Sequence, residues 1–111
     1  MNIEQEKVIN VTERKVCPSH PGEILKGLYL SSTKLTITDL ADDMGVARKT
    51  VSAIVNSHNS VTSEMAMRLS KALQTSPQFW LNLQNNYDIW QLANKKHEIF
   101  AKIKPLPLVH A

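Results

Sequence analysis

The sequence predicts an all-α fold with one compact domain of five helices. Apolar residues recur every three or four positions through most of the chain from residue 20 to residue 95, as in helices with one buried face. Ser, Thr or Pro stands where most of these stretches begin, as expected at the start of a helix. A chain of 111 residues is long enough for one core of this size, so we expect a single domain.

We expect three regions along the chain. Residues 1–18 form a polar N-terminal arm. A brief alternation of Val, Ile and Thr between residues 8 and 16 is compatible with a short strand there. Residues 19–95 form the helical domain and end in its longest helix. Residues 96–111 form a C-terminal extension that is compatible with one more short helix and cannot be helical through Pro105 and Pro107. Both ends are expected to be flexible or ordered by a partner.

The first helix begins at His20 or Pro21, because proline is tolerated at the first helical position. Its apolar residues should cover one side of the core and are Ile24, Leu25, Leu28 and Tyr29. Ser31 to Thr33 then loosen the chain before the next helix.

The stretch from residue 36 to residue 56 predicts two helices joined by a tight turn. Thr36 is placed as an N-cap, and Asp39 follows three residues later as its acidic partner. Buried residues recur at helical spacing at Leu40, Ala41 and Met44. Gly45 stands where the chain must leave this helix through a left-handed residue, which glycine adopts without strain.

The second helix of this pair should run from about Ala47 to Val55. Val51, Ile54 and Val55 point inward, and the outward face is basic and polar, with Arg48, Lys49, Thr50, Ser52, Ala53 and Asn56. Two helices joined in this way form the helix-turn-helix that places its second helix in the major groove of DNA. An ordinary helical hairpin with a charged exposed face is the alternative.

Two more helices complete the domain. Thr62 caps a helix with a buried stripe of Met65, Leu69, Ala72 and Leu73, and the open amides at its start can bind a phosphate. Ser76 and Pro77 begin a long helix that should reach about Lys95 and that carries apolar residues on two sides. A second apolar side suits a partner subunit, and the candidates for a dimer interface are Trp80, Leu81, Tyr87 and Trp90.

Several function classes have little support. Cys17 is the only cysteine, the N-terminus lacks the apolar core of a signal peptide, and no apolar run is long enough to span a membrane, so we expect a cytoplasmic protein without a membrane partner. The four histidines lack metal-ligand spacing, and there is no glycine-rich phosphate loop. We therefore expect no catalysis, no cofactor or metal, and no small-molecule substrate.

Four segments resemble one family. HPGEIL at residues 20–25, the motif at 36–56, TSEMAMRLSKAL at 62–73 and TSPQFWLNLQNNYDIWQL at 75–92 are similar to HigA-type antitoxins, the virulence-associated protein I branch of the phage-repressor-like helix-turn-helix family. The resemblance implies a compact five-helix domain that forms a homodimer and binds its own operator DNA. It also implies a protein partner, a HigB-type toxin that cleaves messenger RNA.

The sequence departs from this family at two positions. Many relatives have Gln at the start of the first motif helix, where Ile37 can neither reach a phosphate nor brace the second helix. Many also have Ser or Thr as the cap of the second helix, where Ala47 forgoes about 1 kcal/mol of capping and a phosphate contact. Operator binding is therefore expected to be weaker than the family suggests, with Thr36 and Thr38 as substitutes.

Candidate DNA contacts follow from position on the motif. Residues near the start of its second helix are candidates for base edges: Arg48, Lys49, Thr50 and Ser52. Residues around it are candidates for phosphates: Lys34, Thr36, Thr38, Asn56 and Thr62. Two alternatives to an autorepressing antitoxin stay open. One is a stand-alone repressor without a toxin partner, and the other is a toxin-binding module with little DNA binding.

Overall fold

The computed structural model describes residues 15–108, and its regular structure in that range is entirely helical. Helix α1 spans Pro21–Ile24 and continues as a π-helical segment, Leu25–Leu30. The others are α2 (Ile37–Met44), α3 (Arg48–Val55), α4 (Ser63–Leu73), α5 (Pro77–Lys95) and α6 (His97–Ala101). The predicted all-α domain of five helices with a short C-terminal helix is confirmed. The strand considered between residues 8 and 16 lies almost wholly outside the described residues.

The start of α1 follows the prediction, but its second half does not. His20 is the N-cap, and its Nδ1 accepts a 2.9 Å hydrogen bond from the Gly22 amide. Further on, the Ser31 amide donates to the Lys26 carbonyl, five residues back, so the helix widens into a π turn. A wider turn shifts the angular positions of its side chains, and Leu28 is 60% exposed. The prediction that Leu28 covers the core is therefore wrong.

The core lies where α1 to α5 meet, and Trp80 of α5 is its largest fully buried side chain. The Trp80 ring packs against Tyr29 and Phe79, and its Nε1 donates a 2.7 Å hydrogen bond to Thr75 Oγ1. With 0% of its surface exposed, Trp80 has nothing to offer a partner subunit. The prediction that Trp80 lies in a dimer interface is wrong, because this side of α5 faces the core of its own protomer.

Helix α1 lies directly against the end of α3. A Cβ atom added at Gly22 would stand 1.8 Å from the Ile54 carbonyl oxygen, so only glycine allows the two backbones to approach so closely. The inner face of α3 is buried at Val51, Ile54 and Val55, as predicted. α3 is therefore supported from behind by side-chain packing and by one backbone contact.

Buried polar groups fasten the loop after α3 to α5. The Val61 amide donates a 2.8 Å hydrogen bond to Gln84 Oε1, and Gln84 Nε2 donates to Asp88 Oδ1 at 2.9 Å. The His20 ring stands edge-on to Tyr87 with 5.0 Å between centroids. Because His20 is also hydrogen-bonded to the backbone of Asn59, the loop is held by groups from the start of α1 and from α5 together.

Within residues 15–108, no helix combines the length and the apolarity that a bilayer span requires.

Candidate nucleic-acid interface

The first helix of the motif begins with the predicted capping box. Thr36 Oγ1 accepts from the Asp39 amide at 3.0 Å, while the Thr36 amide donates to Asp39 Oδ2 at 3.2 Å. These two bonds satisfy backbone donors that a helix start would otherwise leave open. Ile37 follows and is half-buried, with its side chain packed against the core.

The turn between α2 and α3 is closed by backbone hydrogen bonds. Gly45 has φ +69°, the left-handed conformation predicted for it. The Val46 amide donates to the Ala41 carbonyl at 3.0 Å and the Gly45 amide donates to the Asp42 carbonyl at 3.2 Å, the paired bonds of a Schellman ending. The turn is short, and α3 starts at Arg48, three residues beyond the glycine.

α3 begins without a side-chain cap. Ala47 is its N-cap, and its methyl side chain provides no capping hydrogen bond, as the sequence predicts. The first-turn amides of α3 are therefore left for water or for an anionic ligand. Arg48 and Lys49 are exposed at this end, and Thr50 and Ser52 are half-buried beside them.

Arg48 is held by a contact that the sequence analysis did not predict. Its Nε donates a 3.1 Å hydrogen bond to Thr38 Oγ1, across the turn from α3 to the first turn of α2. Thr38 was a candidate for phosphate contact, and the structure instead brings it together with a candidate for base contact. The remaining guanidinium nitrogens of Arg48 stay available for a ligand because the bond uses Nε alone.

The other phosphate candidates lie around α3. Lys34 and Thr36 are exposed before α2, and Asn56 turns its Nδ2 back to the Ser52 carbonyl at 2.9 Å. Thr62 Oγ1 caps α4 by accepting from the Met65 amide at 3.2 Å. A shallow cleft beside α3 brings two of the predicted residues, Thr50 and Thr62, to one place, and its other lining residues are Ile54, Asn59, Ser60 and Met65.

Arg68 of α4 has a role that the sequence analysis missed. Its Nη1 donates a 2.6 Å hydrogen bond to the carbonyl of Met44, the last residue of α2. The two residues are 24 positions apart, and no local signal in the sequence connects them. Its Nε lies 3.4 Å from Glu64 Oε2, one helical turn earlier.

Across the described part of the chain, no three His, Cys, Asp or Glu side chains are grouped closely enough to hold a metal ion. Among the titratable groups of residues 15–108, only His20 has a clearly shifted pKa, which burial lowers against the opposing effects of Asp88, Glu23 and a backbone hydrogen bond with Asn59. His20 is buried in the core, with 2% of its surface exposed.

Comparisons with known proteins agree with this geometry. A helix-turn-helix family model matches residues 32–80. The chain is 43% identical over 90 residues to an uncharacterised HTH-type transcriptional regulator of Haemophilus influenzae, covering 79% of this chain and 84% of the relative. It is 39% identical over 89 residues to antitoxin HigA-1 of Vibrio cholerae, covering 80% and 84%. Virulence-associated protein I of Dichelobacter nodosus is 34% identical over 80 residues, covering 72% and 74%.

Several similar solved structures contain DNA, and two examples show how far the similarity extends. Antitoxin GraA in complex with its operator matches with a TM-score of 0.79 and 35% identity, covering 86% of this chain and 98% of that one. Pseudomonas aeruginosa antitoxin HigA with the higBA promoter matches with a TM-score of 0.74 and 37% identity, covering 80% and 98%. In both cases the similarity extends over nearly the whole of the other protein.

The fold and the motif define a helix-turn-helix protein of the regulator and antitoxin class, which is not a class of enzymes. Within it, this chain belongs to the family of HigA antitoxins and virulence-associated protein I. The resemblance found in the sequence is thereby confirmed.

Proposed function

We propose that this chain is a sequence-specific DNA-binding antitoxin that represses its own operon as a homodimer and neutralises a HigB-type, mRNA-cleaving toxin. The observation that carries the DNA-binding part is the exposed, basic start of α3, where Arg48 is fixed by Thr38 and the turn behind it is closed. The operator complex of GraA and the promoter complex of HigA, which share this fold, support it.

In this proposal α3 enters the major groove with its N-terminal end leading. Arg48 and Lys49 suit guanine edges, because a cationic donor matches the two acceptors that guanine presents there. Thr50 and Ser52 lie further along α3 and bring hydroxyls to the groove wall. The hydrogen bond from Arg48 to Thr38 restricts the arginine before DNA arrives, which lowers the entropy cost of ordering it in the complex.

Phosphate contacts would set the register of α3 in the groove. Lys34 and Thr36 lie before α2, and Thr62 lies at the start of α4, so they can reach the backbone on the two sides of the helix. Thr38 takes the bracing role that Ile37 cannot supply. Operator binding is therefore expected in spite of the departures at Ile37 and Ala47.

A two-fold dimer would present two α3 helices about one DNA turn apart. The surviving candidates on α5 are Leu81, Tyr87 and Trp90, which are all half-buried in the protomer. Beyond them, α6 and the following residues expose large apolar side chains, including Ile99 and Phe100. Apolar surface of this kind is typical of a protein interface and supports a partner at this end of the molecule.

A stand-alone repressor is the second candidate. It is favoured by the relatives that are named as HTH-type transcriptional regulators, from Haemophilus influenzae and Escherichia coli. Co-expression with the product of each neighbouring reading frame separates the two functions. An antitoxin rescues growth from one of those products and co-purifies with it, whereas a stand-alone repressor rescues from none.

DNA reading is tested by titrating the protein against duplexes from the region upstream of its own coding sequence, with a scrambled duplex as control and salt varied. We expect a preference of at least about a hundredfold and a footprint of two half-sites. Equal and weak binding to both duplexes, with the same salt slope, would contradict sequence-specific repression and leave toxin binding alone.

Arg48→Ala tests the residue that carries the proposal. The variant should lose about 1–3 kcal/mol of binding free energy on the upstream duplex and less on the scrambled one, because a base contact is lost only where the right base is present. Lys102→Ala is the matched control, since it removes an exposed positive charge after α6. Equal losses on both duplexes for Arg48→Ala would show that this residue contacts only phosphate.

A further inference from the structure

We infer that Arg68 is a positioning residue for DNA reading: its guanidinium fastens the turn between α2 and α3 to α4 and so fixes the direction of α3. The inference rests on the proposed DNA-binding function and adds a residue that lies outside the motif. Arg68 belongs to α4, which begins after the loop that follows α3.

The contact is made at a carbonyl that the turn itself does not satisfy. In the Schellman ending, the carbonyls of Ala41 and Asp42 accept from Val46 and Gly45. Met44 is the last residue of α2, where a carbonyl has no partner further along the helix. Arg68 Nη1 donates to that carbonyl at 2.6 Å, and a hydrogen bond from a charged donor is stronger than one between neutral groups.

The guanidinium also lies over the glycine of the turn. A Cβ at Gly45 would stand 3.4 Å from Arg68 Nη1, so the arginine occupies the space beside the one left-handed residue of the motif. A positive charge there is also favourable because the C-terminal end of α2 carries the negative end of the helix dipole. Glu64 Oε2, 3.4 Å from Nε, draws the other side of the guanidinium towards α4.

The position of this contact explains why it should matter for reading DNA. α3 starts three residues beyond Gly45, and its cap, Ala47, adds no side-chain hydrogen bond that would fix the start of the helix. The direction of the first turn of α3, where Arg48 lies, therefore depends on the backbone of the turn. Base contacts require that direction to be held closely, whereas non-specific contacts to phosphate tolerate small rotations.

A simpler explanation is that Arg68 only adds positive charge near the DNA. Lys71 supplies the matched control, because it is an exposed cation of the same helix and lines the same cleft as Arg68, Met44 and Asp43. If charge alone mattered, removing either side chain would weaken binding to every duplex alike. If the turn is held by Arg68, only its removal changes the preference between duplexes.

The experiment compares Arg68→Met, Arg68→Lys and Lys71→Met in the full chain. Each variant is titrated against the upstream and the scrambled duplex, and hydrogen exchange of the Gly45 and Val46 amides is followed by NMR without DNA. We expect Arg68→Met to bind the upstream duplex about tenfold more weakly, with little change on the scrambled one, and to exchange both amides faster. Lys71→Met should change both affinities equally and leave the amides as they are, and Arg68→Lys should recover most of the preference.

Two results would overturn the inference: an unchanged preference in Arg68→Met, or unchanged exchange at Gly45 and Val46. If Arg68→Met does not fold, Arg68→Ala takes its place, because alanine also removes the donor and is the best helix former. The wild-type chain separates the two proposals. If it shows no preference between duplexes, the proposed function fails and takes the DNA-reading role of Arg68 with it, while exchange in the variant still decides whether Arg68 holds the turn.

Discussion

The two ends of this molecule differ in what they leave in solvent. Between Leu35 and Ala66, which includes α2 and α3, the large apolar side chains are covered, and charged or polar side chains form the surface. From Ile89 to Leu108 the opposite holds, and seven large apolar side chains are exposed: Ile89, Leu92, Ile99, Phe100, Ile103, Leu106 and Leu108. The region around α2 and α3 therefore has a polar surface, whereas the C-terminal end leaves large apolar side chains exposed to solvent.

This difference indicates two kinds of partner. A polar surface with exposed cations, such as that around Arg48, suits an anionic ligand. Many contacts in such an interface are bridged by water. An apolar surface gains free energy only when another apolar surface covers it. The two surfaces therefore fit the proposed binding of DNA through α3 and of a protein through the C-terminal end.

The largest expected effect is at Gly22, where α1 packs closely against the buried side of α3. Gly22→Ala places a Cβ where the Ile54 carbonyl oxygen lies 1.8 Å away, so α1 must move off α3. We expect the free energy of unfolding to fall by about 3 kcal/mol or more, measured by urea denaturation followed by circular dichroism.

Gly27→Ala is its control, because an added Cβ there meets nothing within 4 Å. It should leave stability unchanged or raise it by up to about 1 kcal/mol, since alanine lowers the entropy of the unfolded chain. Equal stability of the two variants would mean that α1 does not pin α3 through this contact.

A smaller effect is expected at the C-terminal end, and on association instead of folding. The double variant Ile99→Ser and Phe100→Ser removes two exposed apolar side chains from α6. Self-association, measured by sedimentation over a range of concentrations, should weaken by about tenfold or more, while stability changes by only about 0.5 kcal/mol. Unchanged self-association would mean that α6 is not part of the dimer interface, which would then be expected at Leu81, Tyr87 and Trp90 of α5.

The smallest effect concerns His20, whose buried ring contacts Tyr87 of α5. Burial lowers its pKa below the usual 6.5, so the unfolded chain takes up the proton more readily than the folded one. Stability from this group is therefore complete above pH 6.5 and is lost as the pH falls below that value towards the lowered pKa.

His20→Asn keeps a side chain that caps helices well but does not titrate. Urea denaturation of both proteins from neutral to mildly acidic pH measures the difference. The wild type should lose more stability than the variant over this range, and parallel curves would show that the ring is not kept neutral by burial.

Local signals in the sequence predicted the helix boundaries closely, since Thr36, Gly45 and Ser76 each act on backbone groups within a few residues. Contacts between distant residues were missed, as with Arg68 on Met44 and Gly22 on Ile54. Periodicity alone was wrong for Leu28, because a π turn alters the spacing, and for Trp80, because α5 carries apolar residues on two sides and the pattern does not say which one is core. The DNA-contacting residues stay predictions, since the fold places them without naming their bases.

The two faces of α3, one buried and one turned outward, have a consequence for how such proteins diversify. Its inward side chains, Val51, Ile54 and Val55, are fixed by packing in the core and by the close approach of Gly22 to Ile54. Its outward side chains contribute little to that packing. The outward row can therefore be exchanged without rebuilding the core. A duplicated gene could acquire a new DNA target through a few codons, and an engineer could redirect this scaffold by grafting the same short row.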